Sequence, residues 1–282
     1  MIELPETHVL AGQIEQTLVG KTIREVKANA HPHSFAWFSI DDPSAYHPML
    51  AGKKITGANP GTGYTCGGNT EILCEDMALV ISTPIKYHAA GEKLPKSHQL
   101  LVKFDDDSHM TCTVQMWGAM LCYAVSEIEG DKMPGHFGNT RKPDPLSDAF
   151  DETYFEALRR DSKPSLSAKA FLATEQRIPG LGNGVLQDIL FNAAVHPKRK
   201  LETMDDKDMS KLFSSVKLTL KEMKDGGGRD IEKDLFNQNG GYQTFLSKNT
   251  LAYPCRVCGS GLIRQAFLGG NIYFCPICQP FH

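Results

Sequence analysis

The sequence PCRVCGSGLIRQAFLGGNIYFCPIC, residues 254–278, contains two Cys-x2-Cys pairs separated by sixteen residues. Each short pair bends two thiolates towards one ion, and four thiolates meet the needs of tetrahedral Zn²⁺. Disulfides are the alternative for paired cysteines, but this spacing is typical of a zinc site. We therefore predict one structural zinc per chain, which does no chemistry because four protein ligands leave no open coordination position. The predicted ligands are Cys255, Cys258, Cys275 and Cys278.

The residues between the two cysteine pairs predict a β-hairpin. IRQAFLGGNIY contains two short strand-like stretches, and Gly269, Gly270 and Asn271 form a turn-favouring cluster between them. The zinc would therefore staple a hairpin whose tip is small and exposed.

Length and composition indicate a soluble protein with two domains. The chain has 282 residues, enough for two separate cores. It contains neither a signal peptide nor an apolar run of about 18 residues. We expect a cytoplasmic monomer without membrane association. The remaining cysteines lack metal-ligand spacing, and we expect them to be small buried side chains in a reducing compartment. They are Cys66, Cys74, Cys112 and Cys122.

Charge is distributed unevenly along the chain, whose net charge is −3. Residues 1–130 hold 9 Lys and Arg against 15 Asp and Glu, whereas residues 131–282 hold 21 against 18. No acidic residue follows Asp234. A polyanion would therefore be met mainly by the C-terminal half, although a four-thiolate zinc site is itself formally −2. The charge permits nucleic-acid binding without requiring it.

Sequence patterns predict an α+β chain with four regions. Residues 1–130 predict a helix over about 5–20, capped by Thr7, and then an antiparallel sandwich or flattened barrel. Residues 131–150 suit a linker, residues 151–245 show helical periodicity, and residues 246–282 contain the zinc hairpin. The predicted strands lie within 21–28, 71–76, 77–83, 98–109, 110–118 and 119–125. The predicted helices of the second half lie over 151–160, 167–175, 184–193, 205–224 and 229–235.

The segment RIPGLGNGVLQDILF, residues 177–191, contains a glycine turn followed by a helix. Gly180 and Gly182 bracket the turn, and Asn183 stands at the expected cap position. Exposed N–H groups and the positive end of the helix dipole enable such a turn to bind a phosphate. A tight helix–helix connection, with Asn183 as an ordinary cap, explains the same residues. Both interpretations stay open.

The N-terminal sequence MIELPE combines an amine with two carboxylates. An α-amine has a pKa of about 7.7–8.0, so part of the Met1 amine would be neutral and nucleophilic at cellular pH. Glu3 or Glu6 could then serve as general acid or base. Alternatively, both acids stabilise the first turn of a helix through its dipole.

Taken together, IELPE, IPGLGNGVLQDILFNAAVHP and CRVCG…FCPICQ resemble the formamidopyrimidine-DNA glycosylase and endonuclease VIII family. The resemblance spans the whole chain, in order. It implies an N-terminal helix plus β-sandwich, a helix–two-turns–helix domain and a zinc hairpin, with DNA bound in the cleft between them. Members of this family excise damaged bases after flipping the nucleotide into a pocket. Their N-terminal proline amine attacks the sugar C1′, forms a Schiff base and can then nick the strand.

The resemblance also implies roles for individual residues. Glu3 matches the catalytic acid of the family, and Glu6 matches a supporting carboxylate. Asn183 matches a phosphate-holding asparagine, and Lys169 stands where a lysine precedes the glycine turn. Tyr242 resembles a contact to the DNA backbone. The loop that covers the flipped base would lie around residues 225–245.

Several positions depart from the family. Ile2 replaces the nucleophilic proline, and Met1, expected to persist before a large residue, places its amine up to ~3.5 Å away along the chain. No lysine occurs from 55 to 85, and residues 67–69 are Gly-Gly-Asn where a lysine is expected. The tip residues Gly270 and Asn271 stand where the family carries an arginine that holds the lesion phosphate.

The segment VQMWG, residues 114–118, resembles the family loop that inserts an arginine and a phenylalanine into DNA. Here the loop offers Gln115, Met116 and Trp117. An apolar wedge beside a stacking ring can fill the space left by a flipped base. Met116 and Trp117 are equally compatible with an ordinary core.

Two functions fit these observations. The first is a damaged-DNA glycosylase with weak or absent lyase activity, in which Glu3 activates water or the Met1 amine replaces the proline. The second is a non-catalytic binder of abasic or distorted DNA, favoured by the combined loss of proline, lysine and arginine. Retention of Glu3 favours the enzyme, because a pure binder has no need of a carboxylate facing an anionic ligand. A zinc ribbon acting on RNA or on other proteins explains less of the chain.

Overall fold

The fold begins with a helix whose first turn is closed by two glutamates. The computed structural model describes residues 2–61, 68–128 and 142–281, and helix α1 spans Leu4–Thr17. Glu3 is the N-cap, and the Glu6 side chain accepts a hydrogen bond from the Glu3 N–H at 3.1 Å. The Thr7 hydroxyl donates instead to a main-chain carbonyl of the first turn. The predicted cap at Thr7 is therefore wrong.

Strands in the first half of the described chain form the predicted sandwich. They are β1 (Ile23–Ala28), β2 (Ala36–Trp37), β3 (Ile55–Pro60), β4 (Thr70–Cys74), β5 (Met77–Ile81), β6 (Ile85–His88), β7 (Leu100–Phe104), β8 (His109–Cys112) and β9 (Gly118–Ala124). One sheet has the order β1-β7-β8-β6, and the other has the order β2-β9-β5-β4-β3. Only the β2–β9 pair is parallel among these described strands. Strands β2, β3 and β6 were not predicted from the sequence, because they are short or carry Gly and Pro. Two short helices, α2 (Tyr46–Leu50) and α3 (Val125–Ile128), flank this layer.

Four helices form most of the second half. They are α4 (Glu152–Arg160), α5 (Ala168–Ala173), α6 (Val185–Asn192) and α7 (Asp206–Asp225). Each lies inside or within one residue of a predicted segment, because side-chain caps fix where three of them begin: Asp151, Ser167 and Asp205 accept N–H bonds from the first turns of α4, α5 and α7.

The helix predicted over 229–235 is wrong. Helix α7 ends at three glycines, of which Gly227 and Gly228 have φ of 76° and 95°. The chain then turns back on itself, with isolated bridges pairing Arg229 with Tyr242 and Lys233 with Asn239. Glycine in the left-handed region ends a helix at little cost, and here it starts a compact loop over 226–242.

The zinc hairpin consists of β10 (Ile263–Phe267) and β11 (Gly270–Phe274). Its turn is formed by Leu268 and Gly269, with φ of 48° and 70°, as a two-residue turn requires. Gly270 and Asn271 are the first residues of β11 and do not form the turn, which corrects the predicted three-residue tip.

Helix α1 lies between two apolar cores. Leu10, Ile14 and Leu18 belong to the core of the sandwich, whereas Leu4 belongs to the core of the helices. Helix α1 also packs on β3, β4 and α7. The first turn of α1 is therefore placed where the two halves of the molecule meet. None of the described helices is both long and apolar enough to cross a membrane.

The cysteines outside the zinc pairs are buried where they are described. Cys74, Cys112 and Cys122 are at most 2% exposed, and burial raises the pKa of the Cys112 thiol to about 12. They are packing residues, as predicted. Cys66 lies outside the described residues.

Candidate active site and nucleic-acid interface

The Glu3 carboxylate lies at the N-terminus of helix α6. Its Oε1 accepts a hydrogen bond from the Gly184 N–H and its Oε2 accepts one from the Val185 N–H, both at 2.8 Å. A helix leaves these N–H groups unpaired, and its dipole favours an anion there. The glycine turn was expected to offer its N–H groups to phosphate, with Asn183 as cap. Glu3 takes the two N–H groups instead, and Gly184 is the N-cap.

Glycines leave the space that Glu3 occupies. A Cβ atom at Gly182 would lie 2.6 Å from the Glu3 Cδ, and one at Gly184 would lie 2.9 Å from its Oε1. On the backbone side, a Cβ at Gly68 would lie 2.8 Å from the Glu3 Cα. A side chain at any of these positions would displace Glu3. The glycine turn therefore accommodates a carboxylate of this chain.

Arg229 lies at the centre of the buried charge, and it was not predicted from the sequence. Its Nε and Nη2 donate to Glu6 Oε1 and Oε2 at 2.9 and 2.8 Å. Its Nη1 lies 3.6 Å from Glu3 Oε2, and its Nη2 lies 3.8 Å from Glu232 Oε1. The side chain is only 1% exposed. The available signal was weak: one arginine after three glycines, paired with glutamates at the far end of the sequence.

Burial acts to raise the pKa of Glu6 and Glu232, two acids beside Arg229, whereas ion pairing with Arg229 acts to lower it. Burial disfavours the charged form of Glu6, but the Arg229 charge and hydrogen bonds outweigh it, so the pKa of Glu6 is lowered. For Glu232, burial is the larger influence and raises its pKa despite Arg229. Three carboxylates around one guanidinium give these described side chains a formal charge of −2 when all are ionised.

Lys169 and Asn183 meet at the tip of the zinc hairpin. The Lys169 Nζ donates to the Phe267 carbonyl at 2.7 Å, and the Asn183 Nδ2 donates to the Asn271 carbonyl at 3.0 Å. A Cβ at Gly270 would lie 3.4 Å from Lys169 Nζ and 3.5 Å from Asn183 Oδ1. The structure thus brings together four predicted DNA-binding positions from distant parts of the chain.

The contact between helix α6 and the tip of the zinc hairpin contains further polar groups. The Asn183 Oδ1 is buried and has no hydrogen-bond partner among the described residues, and burial lowers the pKa of Lys169. Gln187, which the sequence analysis also missed, donates to the Asn271 carbonyl at 3.2 Å and accepts from the Tyr273 N–H at 3.0 Å. Gln187 therefore fixes β11 to helix α6.

The four cysteines of the hairpin converge on one point. All four Sγ atoms lie within 4.8 Å of one another, with Cys255 and Cys278 at 3.8 Å and Cys258 and Cys275 at 3.4 Å. Thiolates on a tetrahedral zinc, each at about 2.3 Å, would be roughly 3.8 Å apart. The donor set and its spacing fit the predicted structural zinc.

Known proteins with similar sequences extend over the whole length of this chain. No protein-family model matches the chain. The chain is 26% identical over 297 residues to the formamidopyrimidine-DNA glycosylase of Oceanobacillus iheyensis, covering 99% of this chain and 98% of that relative. It is 25% identical over 291 residues to that of Mycobacterium avium, covering 99% of each. The chain is therefore similar over almost its whole length to proteins named formamidopyrimidine-DNA glycosylase.

Solved structures of this family share the fold. Lactococcus lactis Fpg in complex with DNA containing N7-benzyl-Fapy-dG superposes with a TM-score of 0.79 at 24% identity, covering 99% of both chains. The L. lactis Fpg complex with abasic-site DNA also gives 0.79, at 23% identity and with 98% and 99% of the two chains covered. The predicted α+β fold, with helix, sandwich, helical region and four-cysteine hairpin, is confirmed.

At the position of the family's proline, this chain buries an aliphatic side chain. Ile2 is 3% exposed and belongs to the core of the sandwich. The Ile2 side chain therefore contributes packing, and in the full sequence its nitrogen follows Met1. Met1, the other predicted source of an amine, lies outside the described residues.

Where the family carries a lysine beside the sandwich, the described residues offer no basic side chain. Gly67 lies outside the described residues, Gly68 packs on the Glu3 backbone and Asn69 is 3% exposed. A lysine at Gly68 would collide with the chain that presents Glu3.

Tyr242 is placed differently from the family expectation of a DNA contact. Its side chain is 9% exposed and stacks on Phe245, with ring centroids 5.7 Å apart. The Arg256 guanidinium lies over the other ring of this pair, that of Phe245. Burial raises the pKa of Tyr242. The ring is a core element, and little of it is open to a ligand.

The predicted wedge loop is at the surface. Met116 is 74% exposed, Gln115 is exposed and Trp117 is half-buried. The Trp117 ring lies 5.6 Å from that of Trp37, which is itself 43% exposed. A core role for Met116 is therefore wrong, and the paired indoles present an apolar surface beside it.

Proposed function

We propose that this chain is a damaged-DNA glycosylase of base excision repair. It would bind and flip a lesioned nucleotide and hydrolyse its N-glycosidic bond, using the predicted divisions 1–130, 151–245 and 246–282 with a linker over 131–150. The observation that carries the proposal is the Glu3 carboxylate, held by two N–H bonds at the end of helix α6. Full-length relatives named formamidopyrimidine-DNA glycosylase and DNA-bound structures of L. lactis Fpg support it.

The charge of the site suits a reaction that builds positive charge on a sugar. Departure of the base takes the bonding electron pair from C1′, and the Glu3 carboxylate would stabilise the cation that results. Each Glu3 oxygen has one N–H donor and keeps a second lone pair. Glu3 can therefore accept the proton of a water whose oxygen bonds to C1′, while the departing base keeps the electron pair and takes up a proton.

DNA would be held by the hairpin junction and the wedge loop. Lys169 and Asn183 lie together under the hairpin tip and supply a cation and an amide for a phosphate. Met116 and Trp117 supply the exposed apolar surface that a displaced base pair requires. Structural zinc would maintain the hairpin over this junction.

Binding should favour an abasic-site analogue over undamaged duplex. The salt dependence should be shallow, because few basic residues are available to contact phosphates. Asn183→Ala and Lys169→Ala should each weaken this binding, and Lys53→Ala, which removes an exposed surface pair with Asp76, should not. Fluorescence anisotropy at several salt concentrations measures all four proteins. Equal affinities for the variants and the wild type would refute the phosphate assignment.

Schiff-base lyase activity should be weak. Ile2 stands where the resemblance expects the nucleophilic proline, and a nucleophile displaced by one residue loses orders of magnitude in rate. Borohydride should trap little protein on DNA with the natural sequence and more with Ile2→Pro, in which methionine removal would expose a proline amine. Efficient trapping by the natural protein would show that an amine of this chain is a working nucleophile.

Incubation with a panel of lesion-bearing duplexes tests the enzyme directly. Strand breaks that form only after alkali would indicate base removal without lyase action, and Glu3→Gln should abolish them. The alternative, a non-catalytic binder, is favoured by the 6% exposure of Glu3 and by the burial of Ile2. No base release from any duplex, together with selective binding to abasic DNA, would establish that alternative.

A further inference from the structure

We propose that Arg229 is a positioning residue for Glu3. It holds Glu6 as a carboxylate, and Glu6 fixes the backbone turn from which Glu3 projects. The inference rests on the proposed glycosylase function for its kinetic part only. It gives the 226–242 loop a direct part in ordering the candidate active site.

The contacts form a continuous path from the loop to the carboxylate. Arg229 donates through its backbone N–H, Nε and Nη2 to the two oxygens of Glu6, at 3.1, 2.9 and 2.8 Å. Glu6 Oε2 also accepts the N–H of Glu3 at 3.1 Å. Loss of Arg229 would leave Glu6 buried without a counter-ion, and a buried acid in that position takes up a proton or moves.

The surroundings argue for more than a stabilising ion pair. Arg229 Nη1 is not used by Glu6 and instead lies 3.6 Å from Glu3 Oε2. A Cβ atom at Gly184 would lie only 1.9 Å from this Nη1, so the turn before α6 leaves room for the guanidinium beside Glu3. A pair needed for stability alone would be complete with Glu6.

The groups that face Glu6 set its ionisation. They are the Arg229 guanidinium, the Glu3 carboxylate and N–H on its own helix, and Glu232, whose Oε1 is 3.8 Å from Arg229 Nη2. The acid in the first turn of α6, Asp188, is engaged elsewhere, by the N–H groups of residues 245 and 246. Arg229 donates to both oxygens of Glu6, so its removal takes this cation and these hydrogen bonds away from the carboxylate.

The first test measures the ionisation state of Glu6 and does not require catalytic activity. Carbon-13 labelling of glutamate carboxyl groups, with Glu6→Gln to assign the resonance, follows the ionisation of Glu6 by NMR between pH 5 and pH 8. We expect no titration in the wild type or in Arg229→Lys, and uptake of a proton within this range in Arg229→Gln. Arg159→Gln, which removes surface ion pairs with Glu156 and Asp206, is the matched control and should leave Glu6 unchanged. An ionised Glu6 in folded Arg229→Gln would overturn the inference.

The second test separates positioning from folding. On the lesion duplex that the wild type cleaves best, Arg229→Gln should lower kcat about 100-fold, as expected for a misplaced catalytic group. KM should change less than about threefold, because uniform binding is retained. Arg229→Lys should recover much of kcat. Equal kcat for the Lys and Gln variants, at equal melting temperatures, would contradict a positioning role.

Two further outcomes remain informative. If Arg229→Gln fails to fold, the double variant Glu6→Gln/Arg229→Gln removes both buried charges together and should fold. The double variant should lack base-excision activity, and full activity in the double variant would overturn the inference. Should the wild type release no base from any duplex, the proposed function fails, and the NMR titration still decides whether Arg229 keeps Glu6 ionised.

Discussion

Helix α6 is held at its N-terminal end by two sets of contacts with different chemistry. Glu3, Glu6 and Arg229 hold it through buried charges, whereas Asn183 and Gln187 hold the hairpin to it through neutral amides and backbone carbonyls. A buried charge that loses its partner costs several kcal/mol, while a neutral hydrogen bond contributes about 1 kcal/mol. The charged contacts should therefore fail together, and the neutral contacts should weaken one by one.

Loss of a zinc ligand should have the largest effect, because it should unfold the hairpin and with it remove all the neutral contacts between the hairpin and α6. Cys258→Ser should lose the metal and unfold residues 255–278, since zinc binding in small fingers supplies about 10–16 kcal/mol of folding free energy. The sandwich and the Glu3 cluster should stay folded. Hydrogen exchange of the hairpin and of β4–β5, with zinc analysis, measures this. The control Cys122→Ala should keep its zinc; wild-type protein without zinc, or with disulfides here, contradicts the assignment.

Removal of Glu6 should break the charged contacts. Glu6→Ala leaves Arg229 buried without its main partner and should lower the free energy of unfolding by about 3–5 kcal/mol. Glu156→Ala, which breaks a surface pair with Arg159, should cost less than about 1 kcal/mol. Urea unfolding compares the two. A cost for Glu6→Ala as small as that of the surface control would mean that the cluster is solvated.

A single change in the neutral contacts should have a smaller effect. Gln187→Ala removes a bond to the Asn271 carbonyl and leaves the Tyr273 N–H without its acceptor. The expected loss is about 1–3 kcal/mol, confined to docking of the hairpin. Hydrogen exchange at Tyr273 reports it, with the exposed Gln265→Ala as control. Global destabilisation similar to that of Glu6→Ala would remove the distinction between the two contact sets.

Low pH should have the smallest effect, and it should weaken the charged contacts without weakening the neutral ones. The folded state lowers the pKa of Glu6 below the ordinary 4.5. The unfolded state therefore binds more protons, and this stabilisation is present above pH 4.5 and is lost as pH falls through the folded value. Urea unfolding from pH 7 to pH 3 should show a shallower acid loss in Glu6→Gln than in the wild type. Parallel curves would mean that Glu6 contributes nothing to acid sensitivity.

The parts of the molecule that local sequence determines were predictable. Zinc ligands, amphipathic helices and alternating strands each follow from residue spacing, and these predictions hold for Cys255–Cys278, α4–α7 and six strands. The predictions that were wrong concern residues whose environment is determined by segments distant in the sequence. Gly180 and Gly182 suggested a ligand phosphate because nothing nearby in sequence points to Glu3. Arg229 was missed because Glu6, the acid that binds it most closely, lies 223 residues away in the sequence. The segment 229–235 was also predicted to be a helix, whereas it belongs to the loop that follows α7.

The two residues beside Glu3 are buried in two different hydrophobic cores. Ile2 is packed in the core of the sandwich and Leu4 in the core of the helices. Neighbouring residues can span only about 3.3–3.6 Å each, so the halves cannot separate here without pulling one side chain out of its core. Each extraction would cost roughly 1.5–3 kcal/mol. Residues 2–4 thus join the two cores across Glu3, and any separation of the cores at this point would strain the backbone of the residue proposed to perform the chemistry.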